Sequence, residues 1–429
     1  MARRLATTDD DFKAAFDALV EGDRDAPADV AAAVAAIIAA VRDRGFAAAA
    51  ELTALYDGWT PNPQSARVDP AEIDSAERQT DPATLDALDL AAARIRSFHE
   101  RQKPSDFLYK DDVGVDLGWR WTAVDAAGLY APGGRAAYPS SVLMNAIPAK
   151  AAGVSRLVLC VPAPKGEINP LVLVAARRAG VDEIWKIGGA QAIAALAFGA
   201  APIARVDMIA GPGNAYVAEA KRQVFGRVGI DAIAGPSEIV VVADAGNPPD
   251  WIAADLMSQA EHDPSSQCIL LTDDAGFADR VEAATRALLE RSSRRAIAEA
   301  AWRKHGAVVV LRSLDEAPAL VDALAPEHVE LAVADPAPLL AAIRHAGAIF
   351  LGRHTPEALG DYLAGPNHVL PTSRAARYAS GLSVLSFMKR TTIVGADVAS
   401  LRAIGPAAAI LADAEGLPAH ADSVRLRLR

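Results

Sequence analysis

The sequence Leu157-Val-Leu-Cys-Val161 is a short apolar run that is followed by Pro170-Leu-Val-Leu-Val-Ala-Ala-Arg-Arg-Ala179 and then by Glu183-Ile-Trp-Lys-Ile187. The first and third runs have the length and apolar content of buried strands. The segment between them opens with proline and predicts a helix. Another helix is predicted over residues 190–198. Short apolar strands that alternate with helices are typical of a parallel sheet with crossover helices.

The same alternation continues and defines a second unit. A strand at 206–210 and a helix at Ala215–Val224 extend the first unit, and the second unit starts at Ser237. Two such units in tandem predict an α/β fold with two incomplete Rossmann-like domains, each with a parallel sheet, plus small helical N-terminal and C-terminal extensions. The second unit has predicted strands at 239–243, 268–272, 308–311, 329–332 and 348–351, and predicted helices at 248–263, 279–291, 315–324 and 336–345.

The flanking segments carry weaker patterns. At 429 residues the chain is too long for a single core. Helices are predicted at 8–23, 28–44, 71–99 and 397–412, a twisted hairpin at 113–124, strand-like structure at 382–394 and an edge strand at 423–429. Four domains are predicted. They are an N-terminal extension (1–24), an α/β domain that carries most of the candidate metal-binding and catalytic residues described below (25–125 and 235–381), a cofactor-binding α/β domain (126–234) and a tail that packs on another surface (382–429).

The composition excludes several classes of partner. Hydrophobic residues make up 52% and charged residues 23%, as in an ordinary soluble globular protein. The net charge of −11 argues against nucleic acid as a partner. No run approaches about 18 uninterrupted apolar residues, and the first ten residues lack an apolar signal core. We therefore expect a cytoplasmic protein with no membrane segment.

The two cysteines, Cys160 and Cys268, each lie in an apolar, strand-like run. A buried and unreactive thiol is the expected state there. Two cysteines provide neither a disulfide framework nor a cysteine zinc site. Any metal must therefore be held by histidine, carboxylate or amide groups.

The predicted helix at 248–263 carries two polar groups near its end. Asn247 can cap it, and Ile252 and Leu256 form an apolar stripe that would hold it against a sheet. Gln259 and His262 are three residues apart and therefore project to the same side. They form either half of a metal site, or two hydrogen-bonding groups for a polar substrate, or simply a polar helix end.

Glycine-bearing turns indicate a place for a nucleotide. Glycine at the carboxyl end of a strand lets the backbone approach a phosphate, and the next helix offers its N-terminal amides. Gly211-Pro-Gly213 comes nearest to the dinucleotide fingerprint, but Tyr216 replaces the third glycine. These turns are either structural or a nucleotide site, for which Tyr130, Gln191 and Asn214 are best placed. The turns are Ala131-Pro-Gly-Gly134, Gly188-Gly-Ala-Gln191, Gly211-Pro-Gly-Asn214 and Gly235-Pro-Ser237.

Glu327 and His328 are adjacent acid and base groups between a predicted helix and a predicted strand. Such a pair can move protons, because histidine titrates near neutrality and glutamate can orient a water. The alternative is a surface pair on a loop.

A distant set of side chains has the right chemistry for a metal. Gln259, His262, Asp361 and His420 would supply two oxygens and two nitrogens, a set that suits Zn²⁺ or Mn²⁺. Their spacing is irregular, so the four are one choice among several. The other histidines on offer, which we interpret as surface or structural residues, are His99, His305, His345 and His354.

Considered together, these stretches resemble the histidinol dehydrogenase family. The matching words occur in the family's order across about residues 30–428. They are Gly128-Leu-Tyr130-Ala-Pro-Gly-Gly, Tyr138-Pro-Ser-Ser-Val-Leu-Met-Asn145, Gly188-Gly-Ala-Gln191-Ala-Ile, Gly211-Pro-Gly-Asn214-Ala-Tyr-Val, Gly235-Pro-Ser237-Glu, Gln259-Ala-Glu-His262-Asp, Pro326-Glu-His328, Gly365-Pro-Asn-His-Val-Leu-Pro-Thr372, Ser380-Gly-Leu-Ser-Val and Glu415-Gly-Leu-Pro-Ala-His420.

The resemblance implies a zinc enzyme that uses two NAD⁺ to oxidise L-histidinol through L-histidinal to L-histidine, the last step of histidine biosynthesis. It also implies a homodimer in which the tail of one subunit completes the site of its partner. The implied roles are zinc ligation by Gln259, His262, Asp361 and His420, and acid/base catalysis by Glu327 and His328. Tyr130, Gln191 and Asn214 are implied to contact NAD, and Ser237, Gln259, His262, His328, Asp361, Glu415 and His420 to contact the substrate.

Two other functions fit parts of the sequence. A relative on the same scaffold could oxidise another polar alcohol, such as a sulfonated diol, but the retention of Ser237, Glu415 and His420 weighs against it. A metal-binding or nucleotide-binding protein without turnover is the second alternative. Such a protein would have no use for the pair Glu327 and His328 beside a metal.

Overall fold

The structure, a computed structural model, describes residues 2–22, 29–133, 138–233 and 235–429. Among these residues, every helix is too short or too polar to pass through a lipid bilayer. The strands are β1 (Arg3–Ala6), β2 (Phe107–Lys110), β3 (Asp116–Ala123), β4 (Ala126–Tyr130), β5 (Arg156–Cys160), β6 (Glu183–Trp185), β7 (Met208–Ala210), β8 (Gly229–Ile230), β9 (Glu238–Ala243), β10 (Gln267–Thr272), β11 (Ala307–Val310), β12 (His328–Ala332), β13 (Ala348–Leu351) and β14 (Met388–Gly395).

The helices alternate with these strands through most of the chain. They are α1 (Phe12–Val20), α2 (Asp29–Arg44), α3 (Phe46–Asp57), α4 (Pro63–Ala66), α5 (Pro70–Gln79), α6 (Pro82–Glu100), α7 (Pro139–Ala152), α8 (Pro170–Ala179), α9 (Gly189–Phe198), α10 (Ala215–Val224), α11 (Pro249–Ala260), α12 (Ala275–Arg291), α13 (Arg295–His305), α14 (Ala317–Leu324), α15 (Ala337–Ala342), α16 (Glu357–Tyr362), α17 (Val398–Ala414) and α18 (Pro418–Arg425).

Two parallel sheets share one strand order. The five-stranded sheet runs β6-β5-β4-β7-β8, which is the order 3-2-1-4-5 when its strands are numbered along the chain. The six-stranded sheet runs β1-β11-β10-β9-β12-β13, so β9 to β13 repeat the same order and β1 adds an edge strand. This is the Rossmann order without its sixth strand. The predicted α/β fold with two incomplete Rossmann-like sheets is confirmed.

Each parallel sheet is covered on both faces, as its continuous apolar strands require. In β9, Ile239 and Val241 belong to one buried cluster and Val240 and Val242 to another. Ile252 and Leu256 of α11 are buried in the first of these clusters, so the predicted apolar stripe is confirmed. This packing fixes α11 against the six-stranded sheet.

Helices α2 and α6 pack on the five-stranded sheet. Val34 of α2 shares a buried cluster with Val158, while Ile95 of α6 shares another with Leu159 on the opposite face of β5. Residues 25–125 were predicted to group with 235–381, yet these helices complete the layers of the other sheet. The predicted boundaries at 24, 25 and 234, and the predicted helix ends at 23 and 28, lie outside the described residues.

Four predicted elements differ from the structure. Residues 113–124 are not a hairpin by themselves: they contain β3, which forms an antiparallel hairpin with the preceding β2 and also pairs with the distant β14, because alternation does not show where the partner strand lies. The predicted helix at 71–99 is two helices, because Asp81 caps Thr84 N at 3.0 Å and starts a new one. The predicted edge strand at 423–429 lies partly in α18, which packs against α17. Residues 384–387 form a 3₁₀ turn before β14 rather than strand.

A buried ion pair holds the turn that follows β7. Lys221 and Asp231 form a salt bridge in which both side chains are almost fully buried. Nζ of Lys221 also donates to the carbonyl oxygen of Gly211 at 2.9 Å, and the Gly211 N–H donates to Oδ2 of Asp231 at 2.8 Å. Gly211 has φ +122°, and a Cβ there would overlap the carbonyl oxygen of Tyr130. The pair therefore fixes a backbone conformation that only glycine adopts easily.

Replacing Lys221 by methionine should lower the free energy of unfolding by about 3–5 kcal/mol, because it leaves the charge of Asp231 buried without a partner. Urea unfolding followed by circular dichroism would measure the change. Lys13→Met, which breaks an exposed pair with Asp17, is the matched control and should have little effect. Equal effects of the two substitutions would contradict the role given to the buried pair.

Candidate active site

The candidate active site lies at the amino edge of the six-stranded sheet. Ser237 directly precedes β9 and Glu327 directly precedes β12, and these strands are neighbours. Helix α11 runs back to this edge because it links the carboxyl end of β9 to the amino end of β10. Gln259 in its last turn and His262 just after it therefore reach the same edge. The turn at 235–237, expected at the carboxyl ends with the other glycine turns, lies at the opposite edge.

The start of α11 differs from the prediction. Asn247 does not cap the helix; Pro248 occupies that position. The side-chain amide of Asn247 instead donates to the carbonyl oxygen of Ala332 at 2.6 Å and to that of Asp244 at 2.9 Å. Asn247 thus ties α11 to the carboxyl ends of β9 and β12, which fixes the direction in which the helix approaches the site.

Glu238 and Glu327 hold each other in place. The Glu327 N–H donates to Oε2 of Glu238 at 3.2 Å, and the Glu238 N–H donates to Oε2 of Glu327 at 3.1 Å. Nδ1 of His328 lies 3.0 Å from the carbonyl oxygen of Glu238. A carbonyl oxygen only accepts, so Nδ1 carries the proton of the neutral imidazole and Nε2 is left as the free base. Glu327 and His328 are therefore a fixed, buried pair rather than a surface pair on a loop.

Burial sets the protonation of this pair. It lowers the pKa of His328 to about 4, so the imidazole is neutral near pH 7. Burial raises the pKa of Glu327 well above its ordinary value, and the neighbouring charge of Glu238 acts in the same direction. A carboxylate with a raised pKa is a stronger base when ionised, which suits proton transfer.

Three buried side chains at this edge of the sheet each leave one polar atom unpaired. Oε1 of Gln259, Nε2 of His328 and Oε1 of Glu357 have no hydrogen-bond partner among the described residues. Nε2 of His328 lies 3.6 Å from Oε1 of Glu357. One ligand atom from each of His328, Glu357 and Asp361 lies within 4.8 Å of the others. Buried polar atoms normally have a partner, so this cluster can hold a cation through its carboxylate oxygens or a hydroxyl group of a ligand through Nε2 of His328.

Asp361 and His262 complete the part of the site that this chain supplies. Burial is the largest single influence on Asp361 and opposes its ionisation, but the hydrogen bond and charge of His368, whose Nδ1 lies 3.4 Å from Oδ1, act together with His328 and His262 and lower its pKa. Solvent reaches part of His262, yet burial of the imidazole lowers its pKa while the charge of Asp361 acts in the opposite direction. An ionised carboxylate and a neutral imidazole are the forms that bind metals.

Glu357 was missed by the sequence predictions. It is the first residue of α16, almost fully buried, and its N–H donates to Oε1 of Glu330 at 2.5 Å. Burial, followed by the charge of Asp361, raises the pKa of Glu357 to about 9. Glu357 and Asp361 are four residues apart on a short helix, and this spacing was the available signal, because it places two carboxylates on one face.

Two predicted residues are not brought to this site. Glu415 and His420 are exposed on the hairpin of α17 and α18, whose helices pack against each other. Ser237 lies at the start of β9 and is half-buried. Of the four predicted metal ligands, Asp361 belongs to the cluster with His328 and Glu357, His262 lies close enough for the charge of Asp361 to act on its pKa, and Gln259 lies in the last turn of α11, three residues before His262.

A cavity of about 450 Å³ opens at the carboxyl edge of the five-stranded sheet. Tyr130, Gln191 and Asn214, the three residues implied to contact NAD, all line it. The Gly189 N–H donates to the hydroxyl oxygen of Tyr130 at 3.0 Å, and Asn214 caps α10 through its side-chain oxygen. The cavity lies beside β4 and β7, where the strand order reverses and ligands bind in such sheets. Gly134 of the predicted turn lies outside the described residues.

Comparisons with known proteins agree over the full length. Residues 21–428 match the family model described as histidinol dehydrogenase. The histidinol dehydrogenase of Rhodospirillum rubrum is 62% identical over 100% of this chain and 99% of that protein, and that of Caulobacter vibrioides is 56% identical over 99% of each. The crystal structure of histidinol dehydrogenase from Elizabethkingia anophelis, 34% identical, covers 100% of this chain and 98% of that one with a TM-score of 0.94. This chain belongs to the histidinol dehydrogenase family, oxidoreductases of histidine biosynthesis.

Proposed function

We propose that this enzyme oxidises L-histidinol through L-histidinal to L-histidine, with two NAD⁺ and a bound Zn²⁺. The observation that carries the proposal is the group of buried acceptors beside a fixed acid/base pair. Oε1 of Gln259 and Nε2 of His328 have no donor among the described residues, and Glu327 is held against the same edge of the sheet. Full-length membership of the family supports the same reaction.

The metal would be held by Gln259, His262 and Asp361 of this chain and by His420 of a second copy. Two oxygens and two nitrogens suit Zn²⁺, and Mn²⁺ can use the same set. When bound, the metal supplies a Lewis acid that orients the polar groups of the substrate without changing oxidation state.

His328 and Glu327 divide the proton transfers. His328 is neutral with Nε2 free, so it can take the hydroxyl proton of histidinol as the first hydride leaves. Glu327 can then take a proton from the water that adds to the aldehyde, so that a second hydride can leave. Each NAD⁺ supplies a hydride acceptor. The residues proposed to contact the substrate are Ser237, Gln259, His262, His328, Asp361, Glu415 and His420.

NAD is proposed to bind in the cavity that Tyr130, Gln191 and Asn214 line. Its position at the carboxyl edge beside the first turns of α9 and α10 places backbone amides where a phosphate would lie. A cytoplasmic location belongs to the same proposal, and the family's place in histidine biosynthesis supports it.

We further propose a homodimer in which the tail of one subunit completes the site of the other. The tail exposes large apolar side chains that a partner would cover, including Val394, Ile410 and Leu411, each more than 60% exposed. Glu415 and His420 are exposed on the same hairpin. Both observations fit a hairpin that docks on another subunit.

Purified enzyme with Zn²⁺, L-histidinol and NAD⁺ should form two NADH for each histidine, because the oxidation removes four electrons. Absorbance of NADH and chromatography of histidine would measure the ratio.

Removing the metal with a chelator should abolish the activity, and added Zn²⁺ should restore it.

Glu327→Gln should slow oxidation of supplied histidinal by roughly 10²–10⁴-fold, the contribution of a general base.

Unchanged activity after chelation would contradict the role of the metal. Turnover of another polar alcohol, such as a sulfonated diol, without turnover of histidinol would select the alternative substrate class. A chain that binds metal and nucleotide and turns over neither alcohol would be a binding protein.

Replacing Cys160 or Cys268 by alanine should leave turnover largely intact. Burial raises the pKa of Cys160 to about 12 and that of Cys268 further, so neither thiol is a nucleophile at neutral pH. Steady-state kinetics on the two folded variants would test this. A complete loss of turnover in a variant that keeps its fold would show that a thiol takes part in the oxidation.

Subunit mixing would test the proposed dimer. His262→Ala and His420→Ala should each be inactive alone, since each removes one ligand from every site. A mixed dimer has one site with both histidines if His420 acts in the partner. Random mixing should then recover roughly a quarter of wild-type activity, because half of the dimers are mixed and each has one intact site of two. No recovery, with mixed dimers verified by tagged subunits, would show that His420 acts within its own chain.

A further inference from the structure

We propose that Asp57 selects NAD over NADP, by accepting hydrogen bonds from the ribose hydroxyls of the adenosine half and by repelling a 2′-phosphate. This inference rests on the proposed binding of NAD in the cavity of the five-stranded sheet. The argument comes from the charge in the cavity, the position of Asp57 on the sheet and the place of Asp57 in its helix.

Among the described residues that line the cavity, only Asp57 has a charged side chain. The rest of the lining is apolar or neutral, with Ile37 from α2 and Tyr56 beside Asp57. Lys165, two residues beyond Ala163 along the chain, is exposed and outside this lining. A site with one carboxylate and no cation among its described lining residues favours hydroxyl groups and disfavours an added phosphate.

Asp57 reaches the end of the second strand of the sheet. In Rossmann folds an acidic residue about 20 residues after the first turn binds the ribose 2′-hydroxyl. Here the chain beyond β5, the second strand, continues as Val161-Pro-Ala-Pro164 and has no acid. Oδ2 of Asp57 accepts the Ala163 N–H over 3.4 Å, so this carboxylate, although it comes from α3, lies against the end of that strand.

The position of Asp57 in α3 is unfavourable for stability. It is the last residue of the helix, where unpaired carbonyl groups disfavour a negative charge. The carboxylate is also half-buried, burial raises its pKa, and its hydrogen bond to Ala163 is long. A carboxylate at this position makes the fold less stable, so its presence there points to a ligand that binds to it.

Tyr56 and Ile37 give the same part of the cavity a surface for an adenine ring. An exposed tyrosine can stack on a base, and Ile37 is buried beside it as an apolar wall. Gln191 and Asn214 lie at the starts of α9 and α10, on the side where phosphates would meet helix amides. Asp57 is thereby placed on the adenosine side of the cofactor.

Fluorescence titration with NADH and with NADPH, in the absence of substrate, would test the inference. Wild-type enzyme should bind NADH more tightly than NADPH. Asp57→Asn should weaken NADH binding by roughly tenfold or more, the loss expected for a charge-assisted hydrogen bond. It should also bring the dissociation constants for NADH and NADPH closer together. ADP-ribose, used as a competitor, should lose affinity in parallel because it retains the adenosine half.

Glu51→Gln is the matched control, because Glu51 lies on the same helix, is exposed and pairs with Arg44. It should leave both affinities unchanged. Asp57→Asn removes a charge from a helix C-terminus and should not lower the melting temperature; Asp57→Ser is a second variant that also lacks the charge.

The outcomes separate this inference from the proposed function. Wild-type enzyme that binds neither NADH nor NADPH would overturn the NAD proposal and the role of Asp57 together. Wild-type enzyme that prefers NADH, with both folded Asp57 variants keeping the wild-type ratio, would overturn the role of Asp57 alone.

Discussion

Buried acceptor atoms without donors are the constraint around which the site is built. An unpaired buried polar group costs about 1–3 kcal/mol, and Gln259, His328 and Glu357 each contribute one such atom among the described residues. They come from α11, β12 and α16, so elements that are far apart in the chain must be held against each other before a ligand binds and offsets that cost. The reciprocal bonds between Glu238 and Glu327 supply part of this rigidity. A bound cation or a hydrogen-bond donor from a ligand would satisfy these atoms.

The two parallel sheets share a strand order but present opposite edges. In the five-stranded sheet the cavity opens at the carboxyl ends, beside β4 and β7, where nucleotides bind in this architecture. In the six-stranded sheet the corresponding carboxyl edge is filled by Asp244, which binds Arg353 through both oxygens, and by Asn247. The acid/base pair lies at the amino edge instead. Repetition of the fold therefore does not repeat the site, and each sheet can carry a different part of one reaction.

The sequence predicted the elements far better than the assembly of the site. Runs such as Pro170–Ala179 are long, periodic and bounded by proline and glycine, so the predicted helix and α8 coincide. The predicted bounds of the hairpin at 113–124 were wrong because a period of two does not identify the partner strand. The predicted edge strand at 423–429 was wrong because Ala421, Val424 and Leu428 face α17 at helical spacing. Gln259 and His262 were predictable as neighbours on one helix. No local pattern links them to Asp361, and no local pattern shows that Glu357 is buried, so only the family resemblance or the structure could join them.

The proposed metal site has a consequence for assembly. Zinc in proteins takes three or four protein ligands, and the proposed set takes Gln259, His262 and Asp361 from one chain, in which His420 is exposed on a tail with uncovered apolar side chains. If the partner supplies His420, metal binding and dimer formation favour the same state. Thermodynamic linkage then requires that the metal tighten the dimer by the same free energy with which dimer formation tightens the metal. Burial of the exposed apolar surface of the tail and binding of a metal at the sheet edge would then be thermodynamically coupled.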